Sequence, residues 1–219
     1  MALDRRAELA ENLELVKATI PQGVHLIVVT KTFPVSDVQI LHELGVTEFG
    51  ENRDQEGKVK APLVPANWHF QGQLQSNKLR SICEWADVIQ TIDSLRYVDL
   101  LAKATQKSKE VFIQVSLDED GGSENRGGAL PSEINQIADQ ILATENLRLQ
   151  GLMAVAPVAE EPLSAFRRLA QIHQRFKNHF PEAPYLSAGM SGDYLVAIEH
   201  GATHVRLGSS ILGSRARFL

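Results

Sequence analysis

The chain has 219 residues, 43% of them hydrophobic, and a formal net charge of −5. That length admits one large domain or two small ones with a sizeable core. The mild acidity argues against nucleic-acid binding, and no apolar run approaches the roughly 20 residues that span a bilayer.

Residues 3–19 predict an opening helix, because Leu9, Leu13, Val16 and Ile20 recur at helical spacing. No apolar signal core stands near the N-terminus, and the one cysteine, Cys83, has no internal disulfide partner, so a reducing, cytoplasmic setting is expected. Cys83 itself reads as a small buried apolar residue rather than a reactive thiol. The run His25 to Lys31 is rich in branched aliphatics and predicts a strand covered on both faces. A helix follows near 36–44, with Ser36 as its N-cap. Further strands are expected at 47–52, 68–72, 88–92, 111–117, 149–155, 185–189 and 204–208. Helices are expected from Ser76, from Ser94, over 132–144, over 162–178 and from Gly192 to Glu199.

Eight strands alternating with helices argue for a parallel sheet with right-handed crossovers, and eight is the number that closes a TIM-type barrel. An open doubly wound sheet is the alternative, but no G-x-G-x-x-G follows any strand. Nothing reads as an interdomain linker, so residues 1–219 are expected to form a single barrel domain with an extra N-terminal helix. The glycine-rich stretch 118–129 reads as a mobile rim loop. It is no calcium loop, since Ala129 stands where the last carboxylate should be.

Chemistry in such barrels sits at the carboxyl ends of the strands. Those ends carry Lys31, Asn52, His69 with Gly72, Met153, Ser187 with Met190 and Ser191, and Arg206 with Gly208 and Ser209. Lys31 is the most informative of them. Beside apolar packing an ammonium loses hydration, its pKa falls, and the neutral amine becomes a nucleophile able to form a Schiff base. Gly189-Met190-Ser191-Gly192-Asp193 and Gly208-Ser209-Ser210 occupy the last two strand-to-helix loops, where barrels build phosphate sites. Arg206 needs a partner if buried: a carboxylate such as Glu51 or Asp193, or a ligand's ring nitrogen or phosphate. No pair of His, Cys, Asp or Glu residues has metal-ligand spacing, and no G-x-S-x-G elbow is present. A Schiff-base aldolase acting on a phosphorylated sugar and a pure interaction module both remain open at this point.

Six blocks, in order, resemble the pyridoxal phosphate homeostasis protein family: Val29 to Lys31, Phe49 to Glu56, Trp68 to Lys78, Gly151 to Ala154, Leu186 to Asp193 and Val205 to Ser209. The resemblance implies a fold-type III barrel like the N-terminal domain of alanine racemase. It implies pyridoxal 5′-phosphate (PLP) held on Lys31 as a Schiff base. Ser187, Ser191, Gly208 and Ser209 would hold the phosphate, with backbone N–H groups around Met190 and Gly192. Asn52 and His69 would line the ring pocket, and Arg206 would face the pyridine nitrogen. An arginine there keeps that nitrogen unprotonated, which makes the cofactor a weak electron sink. With no second-domain base after strand eight, the expected role is PLP homeostasis without robust catalysis; an amino-acid racemase is the alternative. The implied partners are PLP and, beyond it, PLP-dependent enzymes or a regulatory protein. A monomer is expected.

Overall fold

The computed structural model describes residues 4–118 and 127–213. Strands β1 (His25–Val29), β2 (Glu48–Glu51), β3 (Asn67–Phe70), β4 (Val88–Ile92), β5 (Lys109–Val115), β6 (Leu147–Ala154), β7 (Tyr185–Ser187) and β8 (His204–Leu207) pair in parallel in that order. β8 then pairs with β1, His25 opposite His204, and the barrel closes. The eight predicted strands are all present. Most end a residue or two before the sequence reading placed their ends.

Helices α1 (Arg5–Lys17), α2 (Val35–Glu43), α3 (Asp54–Lys60), α4 (Leu79–Trp85), α5 (Leu95–Ala104), α6 (Ile134–Leu142), α7 (Pro162–His179), α8 (Tyr194–Glu199) and α9 (Ser209–Leu212) surround it. Ser36 is not the N-cap of α2. Pro34 takes that position in extended backbone and leads directly into the helix. α3 and α9 are additions to the sequence reading. α3 has only Gly57 and Lys60 buried, so it shows no apolar stripe, and α9 is too short to show a period. Of the glycine-rich stretch 118–129, residues 119–126 lie outside the described residues.

The main core lies between the strands and the helices and includes Phe49, Trp68, Phe166, Phe176, Leu9 and Leu13. α1 belongs to it and is tied to α2 and α9. Arg5 pairs with Asp37 of α2 at 2.6 Å and donates to Leu212 O at 3.0 Å, and Asn12 donates to Ile211 O at 3.0 Å. Inside the barrel the apolar packing is small: Val88, Phe112 and Met153, with Val155 against them. Polar side chains take much of the space that branched aliphatics usually fill in such barrels.

Candidate active site

β1 delivers Lys31 to the rim two residues past its last strand residue. Pairing continues to Thr30, whose N–H donates to Gly50 O at 3.0 Å. Thr32 then adopts φ +71°, a left-handed conformation rare for a β-branched residue. The strain is held by Glu56 of α3, which accepts from the Thr32 N–H at 2.6 Å. Lys60, also on α3 and only 4% exposed, donates to Thr30 O at 2.8 Å, Glu51 Oε1 at 2.6 Å and Glu56 Oε2 at 3.0 Å. The Thr30 hydroxyl donates to the same Glu51 oxygen at 2.6 Å. Burial pushes the Glu51 carboxyl above its ordinary range, with Lys60 pulling it back. Burial pushes Glu56 up as well, but the Thr32 N–H and Lys60 outweigh it and hold its carboxyl below the usual range. The residues before and after Lys31 are thus pinned by a buried ion cluster.

A cavity of about 480 Å³ opens at this rim. Lys31, Asn52, Gln71 and Arg206 bring polar groups to it, and Val29, Phe33, Met153 and Val155 give it apolar walls. Met190, Ser191 and Gly192 line it from the β7–α8 loop, and Gly208 and Ser209 from the β8–α9 turn. Ser191 joins the two loops: its Oγ accepts from Gly208 N and Ser210 N, each at 3.3 Å, and meets Ser210 Oγ at 3.2 Å. The Met190 N–H is taken by Asp193 Oδ1 at 2.6 Å. The N–H groups of Ser191, Gly192 and Ser209 have no acceptor among the described residues. Nothing lies within 4 Å of where a Cβ on Gly192 would stand, so that strand of backbone faces open space. Gln71 Nε2 is buried without a hydrogen-bond partner among the described residues.

Arg206 is 5% exposed. It donates through Nη1 to Ser187 Oγ and through Nη2 to Ala154 O, both at 2.9 Å. Among the described residues no carboxylate lies within ion-pair distance of it: Glu51 pairs with Lys60, and Asp193 acts only through space. Burial pulls the guanidinium down to about 10, against that distant carboxylate.

Ser187 and His69 do not line the cavity. Ser187 is fully buried beneath Arg206, and its hydroxyl donates to Gln90 Oε1 at 2.8 Å. The Gln90 amide then donates to His69 Nδ1 at 2.9 Å, and His69 Nε2 faces Glu48 Oε2 at 3.3 Å. A polar thread, Arg206–Ser187–Gln90–His69–Glu48, therefore runs through the barrel from one mouth to the other. Eight of the ten residues singled out in the sequence meet at one cavity; the other two lie on this thread. Sequence reasoning missed Lys60 and Gln90, whose only signal is polarity at positions the tertiary fold buries, and the half-buried Glu56 beside Lys60. Cys83 is buried, and burial raises its thiol to about 11, consistent with an inert packing role.

A closed eight-stranded parallel barrel with a lysine at its carboxyl mouth is the architecture of the alanine racemase N-terminal domain class, and the model of that domain matches residues 5–216. The alanine racemase of Clostridium difficile 630 superposes with a TM-score of 0.77 at 16% identity over 96% of this chain and 57% of its own, a likeness of fold alone. The pyridoxal phosphate homeostasis protein of Corynebacterium glutamicum is 42% identical over 207 residues, 89% of this chain and 92% of that protein. The protein of the same name from Schizosaccharomyces pombe is 36% identical over 219 residues, 93% and 91% of the two chains. PipY of Synechococcus elongatus PCC7942, solved with PLP bound, superposes with a TM-score of 0.84 at 29% identity over 94% of this chain and all of its own. The chain belongs to the pyridoxal phosphate homeostasis protein family.

Proposed function

We propose that this protein holds pyridoxal 5′-phosphate in the 480 Å³ cavity through a Schiff base to Lys31, and serves PLP homeostasis without robust catalysis. One observation carries the reading. The cavity combines an amine, unclaimed backbone N–H groups on two adjoining loops, and a buried arginine with no carboxylate partner among the described residues. Those features match an aldehyde, a phosphate and a ring nitrogen in turn. Gln71 Nε2 adds a donor in want of an acceptor. The N–H groups of Ser191, Gly192 and Ser209 would cradle the phosphate, with Ser191 fixing the spacing of the two loops. Ser187 and His69 would act at one remove, by orienting Arg206 and Gln90.

When bound, the cofactor supplies an electron sink for reactions of amino groups. Arg206 donates to its neighbours and does not surrender a proton near neutrality, so it favours an unprotonated ring nitrogen. The titratable side chains on the described cavity wall are Lys31 and Arg206. Tyr97 and Tyr194 are occupied elsewhere, on Leu74 O and Thr19. Neither group offers the second base that proton abstraction from both faces of an amino acid requires. The relatives' names support a homeostatic role of the same kind.

The test is the visible absorption of the purified protein with added PLP, before and after borohydride, beside Lys31→Ala. A yellow band bleached by borohydride and missing in the variant is expected. A wild type that stays colourless overturns the reading. Exchange of the amino-acid α-proton with solvent deuterium at enzyme-like rates would replace the homeostatic role by a racemase.

A further inference from the structure

The opposite mouth of the barrel holds a second constellation. His25 and Glu48 are the first residues of β1 and β2, and His204 is the first residue of β8. Because β8 closes onto β1, with His25 opposite His204, these three strands are neighbours and their first side chains meet. One ligand atom from each lies within 4.8 Å of the others. A further pocket of about 250 Å³ is open at the same place.

Their hydrogen bonds sort the atoms. The Thr203 hydroxyl donates to Leu186 O, so His204 Nδ1 donates to Thr203 Oγ1 at 2.8 Å and Nε2 keeps its lone pair. A ligand imidazole is commonly fixed by such a bond at its other nitrogen. His25 Nδ1 lies 2.9 Å from Glu48 Oε1, and its ring stacks on that of His204 with centroids 4.5 Å apart. His25 is half-exposed and so has room to rotate. His69 is 2% exposed, and its Nε2 has no hydrogen-bond partner among the described residues. Since Gln90 donates to His69 Nδ1, the proton is on Nε2, and it points at Glu48 Oε2 3.3 Å away, off good hydrogen-bond geometry. Arg148 at the same mouth is turned to Glu110, 3.2 Å away.

We propose that His25, Glu48 and His204 form a three-ligand site for a zinc-class divalent cation at the amino-terminal mouth of the barrel, with His69 holding the Glu48 carboxylate. Two imidazoles and one carboxylate are a donor set that zinc accepts, with the fourth position open to the pocket. Bond lengths of about 2.0–2.2 Å require the three ligand atoms to draw in by about an ångström, which rotation of His25 provides. Glu48, drawn to the cation, would bring Oε2 into line with His69 Nε2–H and satisfy that buried donor. This site is remote from Lys31, and its occupancy is independent of the cofactor reading.

The test is zinc binding by the full-length protein, measured by calorimetry and by thermal unfolding with and without zinc chloride. One zinc per chain is expected, together with a rise in unfolding temperature by mass action. Affinity should fall at least about tenfold in Glu48→Gln and in His25→Ala, and remain in Lys31→Ala. His25→Ala changes a half-exposed residue and is expected to fold. Cobalt(II) in place of zinc should show ligand-field bands that both variants lose. No saturable zinc binding, or binding that is equal in wild type, His25→Ala and Glu48→Gln, overturns the proposal.

Discussion

Replacing Lys60 by Met removes the cation from the cluster that pins Lys31. The side chain is almost the same length, so the change is one of charge rather than volume. Glu51, with no exposure, is left as a buried carboxylate whose remaining donor is the Thr30 hydroxyl, and Thr30 O loses a donor as well. Breaking a buried pair from one side costs about 3–5 kcal/mol. The Glu51 carboxyl is already pushed upward by burial, so uptake of a proton limits the loss. We therefore expect about 3–4 kcal/mol. With a urea slope of about 2–3 kcal/mol/M for a chain of this size, the midpoint should fall by roughly 1–2 M. The double variant Lys60→Met/Glu51→Gln removes both charges and should regain more than half of the loss, because a missing pair costs less than an orphaned partner. Urea unfolding followed by tryptophan fluorescence and far-ultraviolet dichroism measures both. A single variant within about 1 kcal/mol of wild type, or a double variant no better than the single, would refute the argument that the pair is electrostatically buried.

Two other perturbations have defined outcomes. Gly151 sits in β6 at φ +154°, where a Cβ would lie 1.9 Å from Tyr185 O. Gly151→Ala must force two strand backbones apart and should cost more than about 3 kcal/mol, against about 1 kcal/mol for Gly23→Ala, which has φ +89° and nothing within 4 Å. Equal losses in urea would show that strand contact at Gly151 is not the cause. The metal-free protein should also lose stability in acid. Burial, helped by His25, lowers His204 to about 3 from 6.5; Glu48 is pushed up by burial, yet the neighbouring His69 and His25 imidazoles bring it to about 2 from 4.5. Both folded values lie below the unfolded ones, so the unfolded chain binds protons first as pH falls. The stability is present above about 6.5 and is lost through about 3 and then 2. Urea midpoints from pH 7 to 4 in chelator should fall in wild type and fall less in His204→Gln; parallel curves would assign the slope to other groups.

What the sequence determined by itself is the order of the strands and the chemistry of one rim. Lys31 closes a β-branched run, and Ser191, Gly208 and Ser209 lie in the last two loops, so their convergence follows once eight parallel strands close. The tertiary structure alone decided sidedness. In a parallel barrel both faces of a strand are buried, so no alternation shows that Ser187 and His69 point to the interior thread and not to the cavity. The same holds for α3, whose buried face is a glycine and a lysine, invisible to any apolar periodicity. His25, Glu48 and His204 are far apart in the chain, and only the pairing of β8 with β1 makes them neighbours. Local pattern shows that a strand is present; which side chains meet across a closed barrel is a property of its register, and the register is set by packing over the whole molecule.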